Sequence, residues 1–198
     1  MNFPKIRNLA RGLSLGTVAC LLTVPSAQAG LVFTNDLLYY TNTLSSSSED
    51  KVNRLYESLF VGASIPKVYF IGWNLGLQSR GNTTSAGTSS MSTLVTGPKF
   101  GVYIGKAQAF SLALAFNPLA RATVTPAGGS EEKWSGYSIQ VELGYTPQVG
   151  KHMYVGIKLI YDRASYSTST NTANVQSNVS YGQSTILPLI SLGWRFGQ

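Results

Sequence analysis

The chain has few of the residues that build disulfide scaffolds, metal centres and acid–base active sites. Its 198 residues include a single cysteine, Cys20, and a single histidine, His152. One cysteine cannot form a disulfide framework within the chain, and one imidazole without thiolates cannot complete a zinc site. Disulfide-stapled domains and structural zinc sites are therefore excluded, and no cofactor or metal is expected.

Charge is also scarce. Charged residues make up 12% of the chain and hydrophobic residues 43%, which is little charge for a soluble domain. The formal net charge is +7, but the basic residues are scattered and form no run. A nucleic-acid partner is therefore not expected, since binding to phosphates needs a concentrated basic surface.

Long apolar runs are missing beyond residue 30, where no stretch reaches the roughly 18 residues of a membrane-spanning helix. Residues 1–29 instead have the three parts of an export signal. These are a basic start with Lys5, Arg7 and Arg11, an uncharged apolar centre at 13–24, and a small-x-small cleavage site at Ala27-Gln28-Ala29. We expect a signal peptide at 1–29 and a mature chain that begins at Gly30.

The mature chain is rich in two-residue alternation, with apolar side chains on one face and polar or small ones on the other. This period indicates β-strands. The clearest example is Tyr137, Ile139, Val141, Leu143 and Tyr145. Similar stretches lie near 31–43, 54–65, 69–78, 94–104, 110–117, 153–162 and 186–196, and the first two are the least regular because Asp36 and Glu57 interrupt them.

The predicted connections between these eight strands alternate between long and short. Long polar segments lie at 45–53, 81–92, 122–134 and 167–183, and short turns at 66–67, 105–107 and 147–151. In an antiparallel ring, this alternation places all long loops at one end and both termini at the other. An even number of strands can close and remove both sheet edges. The sequence therefore predicts an all-β, eight-stranded, antiparallel up-and-down β-barrel over 30–198.

The bulk of the apolar faces favours a transmembrane barrel over a soluble one. Eight strands enclose a space barely wide enough for their own side chains, so large aromatic residues fit better outside. Many of these aromatics lie near strand ends, as in the two aromatic girdles of a bilayer-spanning barrel. The predicted girdle residues are Tyr39, Tyr69, Trp73, Phe110, Phe116, Tyr137, Tyr145, Tyr161, Trp194 and Phe196.

With eight strands, asymmetric loops and an aromatic-ended final strand, the chain resembles the small bacterial outer-membrane β-barrels of the OmpA/OmpX type. The resemblance covers 30–198 and implies a location in the outer membrane after signal-peptide cleavage. It also implies that the barrel-assembly machinery reads the C-terminal strand. Members of that group typically end in Phe, whereas Phe196 is followed here by Gly197 and Gln198.

Five charged residues are predicted to point into the barrel: Asp36, Lys99, Glu142, Lys158 and Arg195. Buried charges must be paired or they destabilise the fold. We expect Glu142 and Lys158 to be diagonal neighbours, and Arg195 to face Asp36 where the last strand meets the first. These charges line a selective pore in one interpretation and hold a solid interior together in the other, and the narrow barrel favours the second.

The short turns each carry a lysine, namely Lys67, Lys106 and Lys151. These lysines could contact anionic lipid headgroups, although turns also tolerate lysine without a function. Outer-membrane enzymes that modify lipid A resemble such barrels but need a His with a Ser at the outer rim. Because His152 lies beside a short turn and no G-x-S-x-G motif is present, we predict an interfacial role for His152 and no enzymatic activity.

The expected function is therefore a structural or surface-interaction role through the long polar loops, in a monomer surrounded by outer-membrane lipid and lipopolysaccharide. Exposed loops on a rigid scaffold often carry binding sites, although these contain few aromatic anchors and could be a solvated fringe. A narrow channel for small or hydrophobic solutes is the second hypothesis, and a lipid-modifying enzyme the third.

Overall fold

The computed structural model describes residues 29–45, 49–65, 68–84, 87–105 and 107–197, with side chains at 29–40 and from 51 onward within those ranges. The predicted signal peptide lies outside these residues except for Ala29. Eight strands follow one another along the chain: Gly30–Ser45 (β1), Glu49–Ile65 (β2), Tyr69–Thr84 (β3), Gly87–Ile104 (β4), Phe110–Thr125 (β5), Glu132–Tyr145 (β6), Met153–Asn171 (β7) and Gln176–Phe196 (β8).

The strands form a closed antiparallel barrel in chain order, as the sequence predicts. Each strand pairs with its neighbours in the chain, and β8 pairs back onto β1 from Leu31 opposite Phe196 to Leu37 opposite Ile190. The ring closes at the turn-bearing end of the strands, and the pairing across this seam stops at Leu37 on β1 and Ile190 on β8. In the described ranges, no helix is long and apolar enough to cross a membrane.

The four polar segments predicted as long loops are largely strand, and that prediction is wrong. For example, β3 and β4 remain paired as far as Thr84 opposite Gly87. The connections at this end shrink to 46–48, 85–86, 126–131 and 172–175. The four polar segments are rich in Ser and Thr, and continued pairing satisfies their backbone N–H and C=O groups. We call this the extended end, and the opposite end, with the short turns and Gly30, the turn end.

The alternation of side chains fixes an inside and an outside for every strand. On β1, Val32 and Asp36 are buried in the interior, whereas Leu31 and Leu37 point outward. On β2, Phe60 is buried. Asp36 and Glu57, which interrupt the alternation of the first two strands in the sequence, lie on opposite faces of the barrel wall. Asp36 points inward, whereas Glu57 belongs to the outward row of β2.

The alternation on β5 is interrupted by a bulge at Pro118 and Leu119. Asn117 lies opposite Ser138, but Ala120 lies opposite Gly136, so β5 has one extra residue there. Proline has no N–H to donate to the ladder and is tolerated at such a bulge. The bulge reverses the alternation, so that Ala120 points inward again and the polar continuation of β5 stays in phase with its neighbours.

Aromatic rings and glycines fill the interior near the turn end. The Phe60 and Phe70 ring centroids are 5.6 Å apart, and Phe70 is 4.7 Å from Tyr103. The Phe60 ring covers a place where Gly62 and Gly72 lie directly opposite each other. A Cβ atom at Gly72 would lie 2.8 Å from Phe60 Cε2, so the ring fits only because the side chain beneath it is absent.

Candidate functional site

All five charged residues predicted to face inward lie inside the barrel, and each is less than 9% exposed. They come from strands all round the ring: β1 provides Asp36, β4 Lys99, β6 Glu142, β7 Lys158 and β8 Arg195. Their positions follow from the two-residue alternation on each strand. The pairing between them, however, differs in one respect from the expected one.

Four of the charges form one network across the barrel. Lys158 Nζ donates to Asp36 Oδ2 at 2.8 Å and lies 3.9 Å from Glu142 Oε2. Lys99 Nζ lies 2.5 Å from Glu142 Oε1 and 5.2 Å from the centre of the Phe60 ring. Two ammonium groups thus face two carboxylates, which leaves the network neutral in the low-dielectric interior. In the strand register, Glu142 and Lys158 are diagonal neighbours.

Arg195 does not face Asp36, so the expected pairing across the closure seam is wrong. In the register, Arg195 lies opposite Val32, four residues along β1 from Asp36, which is about 13 Å at the rise of a strand. Its guanidinium instead lies between the Tyr103 and Tyr154 rings, 3.8 Å from each centroid.

Arg195 also ties the last strand to neighbouring turns. Its guanidinium donates to Gln108 O at 3.2 Å and to Thr146 Oγ1 at 3.3 Å. The two aromatic faces and two oxygen acceptors stabilise the cation without a carboxylate. Arg195 therefore closes the interior at the turn end, where β8 finishes.

Uncharged polar side chains continue the network toward the extended end. Ser58 Oγ donates to Asn74 Oδ1 at 2.8 Å, and Asn74 Nδ2 donates to Gln140 Oε1 at 3.0 Å. Gln140 Nε2 then donates to Tyr56 OH at 3.2 Å. This chain of bonds crosses the barrel from β2 to β6 and fills its middle.

The interior around the charges is nearly filled. The cavity bounded by Lys99, Glu142, Lys158 and Arg195 has a volume of about 20 Å³. That is room for about one water molecule. The charges are therefore packed closely among side chains at this level.

The ten predicted girdle residues all lie on outward rows, and nine of them are 39–71% exposed. Tyr69, Phe110, Tyr145 and Phe196 lie at the turn end. Several form pairs across strands, such as Phe110 with Tyr145 at 4.8 Å and Phe116 with Tyr137 at 6.3 Å. A second set of outward aromatic residues lies next to polar positions, and it consists of Tyr39, Phe116, Tyr137 and Tyr161. Trp194 lies on the outward row of β8.

Trp73 differs from the other girdle residues because it lies in the middle of the apolar row of β3, between Ile71 and Leu75. Its indole N–H donates to Thr96 Oγ1 at 2.7 Å, and that hydroxyl donates to Asn74 O at 2.9 Å. The polar atom of Trp73 is thus satisfied within the protein, so the ring does not need a water interface.

The outward rows change from apolar to polar abruptly on the way to the extended end. Beyond Tyr161 the next outward residue of β7 is Arg163, and Tyr137 of β6 is followed in that direction by Ser135 and Lys133, all exposed. Sequence reasoning missed this basic border because it assigned much of this region to loops. A separate outward groove of about 420 Å³ contains both Arg121 and Glu57.

Of the three turn lysines, only Lys151 is among the described residues, and it is exposed in the connection between β6 and β7. Lys67 and Lys106 lie outside the described residues. His152, next to Lys151, has Nδ1 3.1 Å from Arg195 O, and its ring is 5.2 Å from Phe196. The imidazole therefore contacts the end of the final strand.

At the extended end, a small aromatic cluster lies inside the barrel mouth. The Trp134 ring is 5.9 Å from Tyr166 and 4.8 Å from Tyr181. Glu132 accepts hydrogen bonds from Trp134 Nε1 at 2.7 Å and Ser169 Oγ at 2.9 Å. These two bonds hold the pKa of the Glu132 carboxyl below its ordinary value.

The described part of the chain contains no group of three or more His, Cys, Asp or Glu side chains that could hold a metal ion. Its concentrated chemistry is the buried charge network, the Arg195 site and the polar mouth.

Comparison with known proteins gives a match in fold. No protein-family model matches the chain, and no curated protein matches it. The crystal structure of Neisserial surface protein A (NspA) is similar, with 14% identity and a TM-score of 0.50 over 86% of this chain and 99% of that chain. The crystal structure of the outer membrane protein OprG from Pseudomonas aeruginosa has 11% identity and a TM-score of 0.49, over 87% and 97% of the two chains. At such identities, the likeness to NspA shows the fold alone, that of a small outer-membrane β-barrel.

Proposed function

We propose that this chain is an integral outer-membrane β-barrel with a filled, charge-paired interior, which acts through the surface of its extended end and through stable residence in the envelope. The observation that carries the proposal is the opposite character of the two barrel faces. The outward rows are apolar and exposed, whereas the inward rows hold paired charges and polar side chains.

The outward surface fits hydrocarbon better than water. Leu114, Leu143, Ile157, Ile186 and Ile190 are each 55–68% exposed, on four consecutive strands. A contiguous exposed apolar surface of this kind marks contact with a partner or a membrane. Aromatics border it at the turn end, and basic residues border it at the extended end. An apolar band with aromatic residues at one border and basic residues at the other fits a bilayer with its two polar interfaces.

The filled interior favours a structural and interactive role over conduction. A passage for solutes would have to cross the network of Lys99, Glu142 and Lys158 and then the Arg195 site, where the remaining cavity holds about one water. Moving those charges apart would leave each of them unpaired in a low-dielectric space. The channel hypothesis therefore needs a large rearrangement that the packing opposes.

The same arrangement supports specific contacts with the envelope. Lys133 and Arg163, at the border of the apolar surface, would contact phosphate groups of lipopolysaccharide, while Lys151 at the turn end would contact headgroups of the inner leaflet. The final strand, whose outward row ends in Trp194 and Phe196, would be read by the barrel-assembly machinery. Export through the signal peptide at 1–29 and a monomeric state complete the proposal.

Two measurements test it. The protein refolded into detergent should migrate faster on unheated than on heated denaturing gels, as compact barrels do, and should precipitate once detergent is removed. In planar bilayers it should produce no discrete openings. A protein freely soluble without detergent would refute membrane residence. Discrete openings that change in Lys158→Met would instead support a channel, and an altered lipid A mass spectrum in cells that express the protein would support an enzyme.

A further inference from the structure

Two arginines lie directly opposite each other inside the mouth at the extended end. Arg54 on β2 is the register partner of Arg80 on β3, and both belong to the inward, half-buried rows. Side chains in such directly opposed positions have Cβ atoms about 5 Å apart, and two like charges there destabilise the sheet. A negative charge bound between the two guanidinium groups would offset this repulsion.

Within the described part of the chain, no side chain compensates the pair. Neither arginine forms an ion pair with a described carboxylate. The Nε–H of Arg54 is buried and has no hydrogen-bond partner. The described carboxylate at this mouth, Glu132, is bound to Trp134 and Ser169 instead. The two guanidinium groups therefore carry positive charge, and Arg54 an N–H donor, for which the described residues provide no partner.

Space for a ligand lies beside Arg80, the register partner of Arg54. A cavity of about 180 Å³ is lined by Arg80, Asn82, Ser89 and Tyr181, among others. Its lining thus includes the guanidinium of Arg80, the amide of Asn82, the hydroxyl of Ser89 and the ring of Tyr181. Guanidinium groups bind the oxygens of sulfate, phosphate or carboxylate in paired, charge-assisted hydrogen bonds.

We propose that Arg54 and Arg80 together bind one oxyanionic group, a sulfate, phosphate or carboxylate, of a soluble ligand that enters the mouth from the extended end. This inference rests on the proposed function, to which it adds the chemistry of the partner. Both side chains face the interior, so the barrel wall separates them from membrane headgroups. Arg121, by contrast, faces outward and shares its groove with Glu57.

The direct test follows arginine Nε–H resonances in the full mature barrel refolded in zwitterionic detergent. The arginines are labelled with nitrogen-15, and the signals are assigned by single substitutions. Titration with sodium sulfate, then sodium phosphate, at constant ionic strength maintained with chloride, should shift the Arg54 and Arg80 signals along one saturable curve. Arg54→Gln and Arg80→Gln should each weaken the affinity about tenfold or more, whereas the matched Arg121→Gln variant should bind like the wild type.

A stability measurement separates anion binding from a structural role. In chloride alone, Arg54→Gln should raise the urea midpoint of unfolding, because it removes the like-charge repulsion. A structural role for Arg54 would lower that midpoint. Sulfate should stabilise the wild type more than it stabilises either variant, which corrects for its general salting effect.

The inference would be overturned by Arg54 and Arg80 signals that do not respond, or by a sulfate response that persists in both variants. In either case, a barrel that still folds and shows heat-modifiable migration would leave the proposed function intact. A chain soluble without detergent would refute the proposed function first, so the two failures can be told apart.

Discussion

The buried network makes a quantitative prediction for Asp36→Asn. This change leaves two ammonium groups facing one carboxylate, and Lys158 loses its partner at 2.8 Å while Glu142 remains 3.9 Å away. Removing one member of a buried ion pair costs about 3–5 kcal/mol, because the other charge stays buried and uncompensated. We expect the free energy of unfolding to fall by about that amount.

A second variant separates charge imbalance from the loss of a hydrogen bond. Asp36→Asn combined with Lys158→Met removes one charge of each sign and leaves Lys99 with Glu142 at 2.5 Å. Replacing a buried ion pair with uncharged side chains is often close to neutral in stability. The double variant should therefore recover most of the loss, with a coupling energy on the order of 3 kcal/mol.

The assay is reversible urea unfolding of the barrel refolded into lipid vesicles, followed by tryptophan fluorescence and analysed by linear extrapolation. Glu131→Gln is the matched control, since its carboxylate is exposed in the connection between β5 and β6, and it should change stability by no more than about 0.5 kcal/mol. A cost below about 1 kcal/mol for Asp36→Asn, or single effects that simply add in the double variant, would refute the argument.

Three further predictions concern other parts of the barrel. Arg195→Gln should cost about 2 kcal/mol or more in the same assay, because it removes a cation desolvated between two rings. Gly72→Ala should cost about 1–3 kcal/mol by forcing a Cβ against the Phe60 ring and nearby backbone, whereas alanine at Gly182, where a Cβ meets nothing within 4 Å, should be tolerated. The pKa of Glu132 is lower in the folded state than its ordinary value of 4.5. The stability that the ionised carboxylate contributes is therefore fully present above pH 4.5 and is lost as the pH falls through the folded-state pKa. The stability difference between wild type and Glu132→Gln should therefore shrink as urea titrations are carried below that pH.

The faces of the strands could be predicted from the sequence because a period of two decides them locally. Tyr137 to Tyr145 alternates without interruption, and the same face points outward along that whole stretch. Closure followed from an even number of strands with alternating connections. The direction of each side chain and the closure of the ring can be inferred from residues that are close in sequence, so neither inference requires knowledge of the strand register.

The positions of residues along the barrel axis, relative to residues on other strands, could not be predicted in the same way. Alternation shows that Asp36 and Arg195 both point inward, but not that the register places Arg195 opposite Val32. Strand length was also underestimated, because polar Ser and Thr segments resemble loops in composition while their backbones continue the ladder. The bulge at Pro118 could have been suspected from a proline followed by small inward residues.

The interior shows how a narrow barrel accommodates large inward side chains. Phe60 covers Gly72, and a Cβ at Gly101 would meet the Phe70 ring. The rings therefore pack over inward glycines of neighbouring strands. Each ring therefore occupies space that its neighbour leaves vacant, and the charges fit into what remains. In a close-packed interior of this kind, one ring cannot move far unless its neighbours move too, which opposes opening by the motion of a single side chain. The pairing of charges and the packing of rings thus resist opening of the barrel for the same reason, and under the proposed function partner contacts lie at the extended end.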